Sequence, residues 1–231
     1  MQDFIKLSNI HKSYGKKLNV FHALKGVNLT IKKGEFIALM GPSGSGKSTM
    51  ANILGCLDSA SSGVYDFCGV DVCALNLKEK ALLRRNYLGF IFQGFNLLPR
   101  TTALENVELP LLYRGMPKKE RIMRSMEALD LVGLDKWHNH LSNELSGGQQ
   151  QRVAIARAIA SRPLFLLADE PTGNLDTKRS EEIMEILSAL NKESKITILM
   201  VTHEPDMAKY TTRQIAFLDG NIQSDSYGGE Q

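Results

Sequence analysis

The stretch Gly41-Pro42-Ser43-Gly44-Ser45-Gly46-Lys47-Ser48-Thr49 fits the spacing G-x-x-x-x-G-K-[ST]. Glycines let a backbone turn tightly and aim successive N–H groups into one hollow. A helix starting directly after the turn adds partial positive charge. The pattern suits a chain of phosphates, with Lys47 reaching the β- and γ-phosphates and Ser48 holding Mg2+. Further along, Asp169 and Glu170 follow the apolar run 164–168. An aspartate at a strand tip suits indirect coordination of Mg2+, and the next acid can point at a water in line with the γ-phosphate. Other polar residues fall just past a strand or at a helix start, where α/β proteins bind ligands. Gln93 can offer its carbonyl oxygen to Mg2+ or to a water, and His203 stands beside the γ-phosphate region. Ser146-Gly147-Gly148-Gln149 opens a second phosphate-binding helix. Tyr14, upstream of the loop, is an aromatic that can stack on a purine.

These residues need particular elements to hold them. Residues 4–40 alternate apolar and polar, with turns at Tyr14-Gly15 and Lys33-Gly34, the pattern of antiparallel strands leading into a buried strand at 36–40. The spacing predicts a helix over 48–57, a hairpin over 63–72, a short charged helix over 77–85 and a buried strand over 88–92. From 102 to 133 the period turns helical, with breaks expected at Pro110 and Pro117. Ile122, Met126 and Leu129 form one core-facing stripe there. The Ser-Gly-Gly turn leads into a helix through 153–160, and Asp176 caps a helix over 177–191. The run 197–202 is another buried strand, and 215–218 with the Asp219-Gly220 turn closes the sheet. Two phosphate-binding helix starts on one chain suggest that two chains share one nucleotide.

Composition narrows the class. The 231 residues are 43% hydrophobic, enough to bury a core, and the 23% charged residues are spread through the chain. A net charge of +3 is small for this length and gives no support for a nucleic-acid surface. No apolar run approaches the ~20 residues that span a bilayer, and the N-terminus lacks the apolar stretch of a signal peptide. Cys56, Cys68 and Cys73 are odd in number and form no disulfide framework, so reduced cytosolic thiols are expected. His138 and His140, two apart, share no helix face and read as structural.

Together these residues resemble the nucleotide-binding domain of an ABC transporter, over almost the whole chain. Tyr14 matches the adenine-stacking aromatic, 41–48 Walker A, Gln93 the Q-loop and Leu145-Ser146-Gly147-Gly148-Gln149 the signature. The run 166–170 matches Walker B with its catalytic acid, 174–176 the D-loop and His203 the switch histidine. A closer resemblance is to the MacB/LolD group of exporter and lipoprotein-release ATPases. It rests on Asn52-Ile53-Leu54-Gly55-Cys56-Leu57-Asp58, Asn96-Leu97-Leu98-Pro99 and Ala168-Asp169-Glu170-Pro171-Thr172-Gly173, among others. FtsE-like cell-division ATPases and bacitracin-type exporters share part of it. Met50-Ala51 departs from the usual pair after the P-loop, a matter of packing.

The resemblance implies an α/β fold: a P-loop NTPase core with a mostly parallel sheet, an N-terminal antiparallel β-subdomain and an inserted helical subdomain. The expected division is 1–93 and 163–223 for the core with its β-subdomain, 94–162 for the helical subdomain, and 224–231 as a polar tail. It implies ATP and Mg2+, with Glu170, His203 and Lys47 catalytic and Ser48, Gln93 and Asp169 serving the metal. Nucleotide contacts would come from Tyr14, Gly41, Pro42, Ser43, Gly44, Ser45, Gly46, Lys47, Ser48, Thr49 and Gln93. In a head-to-tail dimer, Ser146, Gly147, Gly148, Gln149 and Asp176 would join them. A membrane permease, separate or fused, is the implied partner, with a periplasmic adaptor reached through it and no nucleic acid. The implied location is peripheral, at the cytoplasmic face of the inner membrane. Phe95 and Leu98 are expected to floor the permease-docking groove beside the helix that follows. The rivals are a soluble ABC ATPase of DNA repair or ribosome work, a P-loop kinase or GTPase, and a sensor that binds without turnover. The short interval between Gln93 and Leu145, the signature and an intact Glu170 weigh against them.

Overall fold

A computed structural model describes residues 3–15 and 19–227. The strands β1 (Ile5–Tyr14), β2 (Phe21–Ile31) and β3 (Phe36–Met40) come first, and helix α1 (Lys47–Leu54) follows the P-loop. Next are β4 (Ser62–Phe67), β5 (Val70–Asp71), α2 (Leu77–Tyr87) and β6 (Leu88–Phe92). Three helices follow: α3 (Ala103–Tyr113), α4 (Lys118–Leu131) and α5 (Gly147–Ala160). The chain closes with β7 (Phe165–Asp169), α6 (Thr177–Ser194), β8 (Thr197–Val201), α7 (Pro205–Ala208), β9 (Arg213–Leu218) and β10 (Asn221–Tyr227).

Two sheets result. One is antiparallel in the order β2-β1-β4-β5; the other runs β10-β9-β3-β8-β7-β6 and is parallel except for β10. The strands β3, β7 and β8 are apolar at nearly every position because both their faces are covered. Side chains alternate across a strand, and here they divide between two cores. Ile37, Leu39, Phe165, Leu167, Leu199 and Val201 pack with α1 and the antiparallel sheet. Their neighbours Ala38, Leu166, Ala168, Ile198 and Met200 pack with α3, α4, α5 and α6. The parallel sheet is the wall between the cores, and its strand tips carry the polar residues picked out above.

The helix starts follow their capping residues. Asn76 with Glu79, Thr102 with Glu105 and Ser146 with Gln149 form reciprocal capping boxes, and Asp176 accepts the Arg179 N–H. Three local expectations need correction. Pro110 does not break α3; it lies inside it, where fully buried Val107 and Leu111 hold the helix against the loss of one N–H donor. Helix α1 stops at Leu54, with Gly55 as its C-cap and the backbone turning left-handed at Cys56, φ +54°. Residues 224–227 are not a loose tail but the end of β10, whose Asp225 pairs with buried Arg213. Residues 228–231 of the expected tail lie outside the described residues.

Candidate active site

The central strand β3 delivers the P-loop. Gly41 and Gly46 have φ of +146° and +108°, and added side chains would meet the Phe217 carbonyl oxygen at 2.1 Å and the Ala23 carbonyl oxygen at 2.7 Å. Only glycine fits either place. Lys47, 8% exposed, curls back so that Nζ donates to the carbonyls of Gly41 at 2.7 Å and Pro42 at 2.8 Å. Its ammonium is thereby fixed at the centre of the loop. The hydroxyl of Ser45 is buried there with no hydrogen-bond partner among the described residues.

A cavity of about 560 Å³ opens over this loop, bordered by Gly41–Gly44, Gly46–Thr49, Phe21, Ala23, Glu170 and His203. Parallel pairing explains the convergence, since β3, β8 and β7 end at one edge in register. Glu170 leaves β7 with φ +45°, and its N–H donates to the Val201 carbonyl at 3.0 Å. Its carboxylate lies 3.1 Å from His203 Nδ1. Burial raises the Asp169 pKa, the neighbouring Glu170 charge adds to the rise, and Lys47 opposes it.

Other expected site residues surround this cavity without lining it. Asp169 is half-buried at the tip of β7. Gln93 follows β6, whose Phe92 pairs with Asp169. Its main-chain carbonyl accepts from Asn174 Nδ2 at 2.9 Å, and its side-chain amide faces Gly173, where a Cβ would stand 2.6 Å away. Tyr14 stands off the cavity wall, its hydroxyl donating to Asp58 at 2.7 Å and bonding also to Thr49. Lys12 lies over its ring, 4.7 Å from the centroid. Burial and the Asp58 bond raise the Tyr14 pKa. Ser146, Gly148 and Gln149 border a separate recess of about 270 Å³ with Trp137, Arg152 and Arg179. Asp176 holds the start of α6. One chain thus carries its two glycine-rich helix starts at separate recesses.

Two contributors escaped the sequence reading. Arg157 donates to the carbonyls of Phe95 at 2.8 Å and Asn96 at 2.6 Å, tying the segment after Gln93 to α5. Helical spacing marks Arg157 only as a polar position. Phe21 lines the cavity; its signal was an aromatic directly across the hairpin from Tyr14.

An apolar groove of about 520 Å³ lies between the sheet and the helices, bordered by Leu57, Phe90, Phe92, Leu109, Pro110 and Tyr113 among others. Helix α3 contributes as expected, but Phe95 and Leu98 do not line it. The left-handed turn at Phe95 and Asn96, φ +60° and +50°, rolls the segment toward α5. The Phe95 ring comes to rest near Gly147, and Leu98 is exposed.

A glycine-rich loop between the central parallel strand and a helix, with an acid and an imidazole at its mouth, defines a P-loop nucleoside triphosphatase. The added antiparallel sheet and the second helix start narrow that class. The family model described as ABC transporter matches residues 24–173. The chain is 53% identical over 224 residues to the ABC transporter ATP-binding protein YknY of Bacillus subtilis (strain 168), covering 97% of each. It is 50% identical over 222 residues to the macrolide export ATP-binding/permease protein MacB of Marinobacter nauticus, covering 96% of this chain and 34% of that protein. The dimeric post-hydrolysis structure of the ATP-binding cassette MJ0796 from Methanocaldococcus jannaschii, bound to ADP and Pi, superposes with a TM-score of 0.89. That match is 46% identical and covers 98% of this chain and all of the other. The chain belongs to the ABC transporter family and is its ATP-binding, ATP-hydrolysing part, in the MacB/LolD group.

Proposed function

We propose that two copies of this chain close head to tail on two Mg-ATP molecules and, by hydrolysing them, drive a membrane permease of the MacB/LolD type. The observation that carries this reading is the separation of Ser146 from the P-loop onto another surface of the same chain. A second copy can set its 146–149 segment and Asp176 loop against the first copy's phosphates. The dimeric MJ0796 cassette supports that arrangement.

Within one site, the backbone N–H groups of 41–49 and the Lys47 ammonium hold the phosphates, and Tyr14 stacks on the base. The donors fit Mg2+: the hydroxyl-bearing Ser48 borders the cavity and Asp169 stands behind it. A few hard oxygen ligands suit a cation that keeps most of its waters. Ser48, Asp169 and Gln93 would hold the ion against the phosphates. Bound Mg2+ supplies charge neutralisation on the phosphates. Gln93 would help to hold it, with its side-chain amide oxygen as the ligand. Phosphoryl transfer to water asks little covalent work of the protein and much positioning. Glu170 orients the attacking water and accepts its proton, while His203 holds that carboxylate and contacts the γ-phosphate.

The groove walled by Phe90, Phe92, Pro110 and Tyr113 is the seat for a short permease helix. Among the described residues no helix is long and apolar enough to cross a membrane. Attachment through the groove places the chain peripherally, at the cytoplasmic face of the inner membrane. In this reading 1–93 and 163–223 form the nucleotide core with its β-subdomain, and 94–162 is the helical part that moves against it. Phosphate release from Mg-ATP by the purified chain, together with co-purification of a membrane protein, tests the proposal. Absence of Mg-ATP-dependent release would overturn it.

A further inference from the structure

The cavity over the P-loop has an aromatic wall that the family motifs do not assign. Phe21 begins β2 and is 61% exposed, a large apolar ring with no core to fill. It lines the cavity together with Ala23, two residues on and on the same side of the strand. The main chain at Ala23 passes so close to Gly46, at the start of α1, that no side chain fits between them. Strand β2 is therefore pinned to the phosphate loop, and Phe21 sits at a fixed place one step outward from it.

Across the hairpin, Tyr14 and Phe21 are directly paired, so both rings leave the sheet on one side. Among the described residues neither ring pairs with another aromatic. Lys12 occupies one face of Tyr14, while Asp58 and Thr49 hold its hydroxyl, which leaves that ring a fixed and partly used surface. Phosphates seated among the N–H groups of 41–49 direct the nucleoside toward the open mouth, where Phe21 is.

We infer that Phe21 is a second purine-contacting residue, which with Tyr14 forms a two-walled slot for the adenine of ATP. This rests on the ATP reading above. Its chemistry is contact with an aromatic face, so it strengthens binding of a nucleotide and adds nothing to binding of bare phosphates.

The test compares Mg-ATP with tripolyphosphate, which has the phosphates and no base, by calorimetric titration of wild type, Phe21→Ala and Phe21→Trp. Phe21→Ala should raise the Kd for Mg-ATP about thirtyfold, the middle of the range for one base–aromatic contact. It should leave the Kd for tripolyphosphate unchanged, and Phe21→Trp should bind Mg-ATP within about threefold of wild type. The inference is overturned if Phe21→Ala binds Mg-ATP as wild type does. It is equally overturned if both ligands weaken together, the signature of a distorted loop. Wild type that binds tripolyphosphate and not Mg-ATP would overturn the ATP reading and this inference with it.

Discussion

Glu170 sits at the end of β7 in a left-handed backbone conformation that a side chain adopts only where its surroundings impose it. The hydrogen bond from its N–H to Val201 and the contact with His203 impose it here. The carboxylate borders the cavity beside His203, and in the proposed mechanism it serves the attacking water rather than the phosphates. Glu170→Gln should accordingly retain ATP binding while phosphate release falls by about a hundredfold or more, as expected when a general base is lost. Lys47→Ala should behave in the opposite way, with the Kd for Mg-ATP rising at least about tenfold through loss of a charge-assisted contact. Titration beside a turnover assay separates the two; equal loss of binding in both variants would contradict the division of roles. The identities of Lys47, Ser48, Asp169, Glu170 and His203 were legible because each follows a spacing with a mechanical cause. Phe21 and the inward turn of Gln93 were not, since both depend on which strand or loop lies opposite.

At the scale of elements, β3, β7 and β8 could be read directly, because a strand buried on both faces is apolar throughout. Strand β10 could not, as Ser224, Asp225 and Ser226 carry the composition of a loop. Its pairing comes from main-chain bonds to β9 and from one buried cation. Arg213 Nη2 reaches Asp225 at 2.6 Å, Nη1 reaches Glu35 at 2.9 Å and the Thr30 carbonyl at 2.8 Å, and the ring of Tyr227 lies over the guanidinium. Bonding to Asp225 raises the Arg213 pKa despite partial burial, so the charge stays at any working pH. Arg213→Ala leaves the partly buried Glu35 without its counter-charge and should lower stability by about 3 kcal/mol, near the cost of breaking a buried pair and reduced somewhat because Asp225 reaches solvent. Urea denaturation measures it, and a loss no larger than that of a surface residue would show that β10 is held by its main chain alone. Pro110 teaches the converse: local propensity forbids it in a helix, and packing of Val107 and Leu111 overrides the propensity.

For the whole molecule, the groove is an apolar recess whose rim can be altered without touching either core. Leu57 and Tyr113 stand at its edges, 51% and 71% exposed. Leu57→Glu with Tyr113→Glu should leave the melting temperature and basal ATP hydrolysis within error of wild type. Association with membranes from cells carrying the permease should be lost, because two carboxylates would be buried without partners. Retained association would move the docking site elsewhere. The sequence pointed to a groove beside α3 but placed its floor one turn of chain too late. A left-handed pair such as Phe95 and Asn96 reverses the side that a segment presents, and composition does not register that.

The placement of Ser146 and the P-loop on different surfaces of one chain also has an arithmetic. In a mixed pair, a copy carrying Ser146→Arg still offers a sound P-loop, and a copy carrying Lys47→Ala still offers a sound serine loop. Each variant alone should be inactive, since every interface in its own population has one broken half. Stirred together, the two can lend each other what they lack. Phosphate release should reappear on mixing, with one working interface in each unlike pair and none in like pairs. Two broken proteins that stay silent together would mean that each chain completes its chemistry alone.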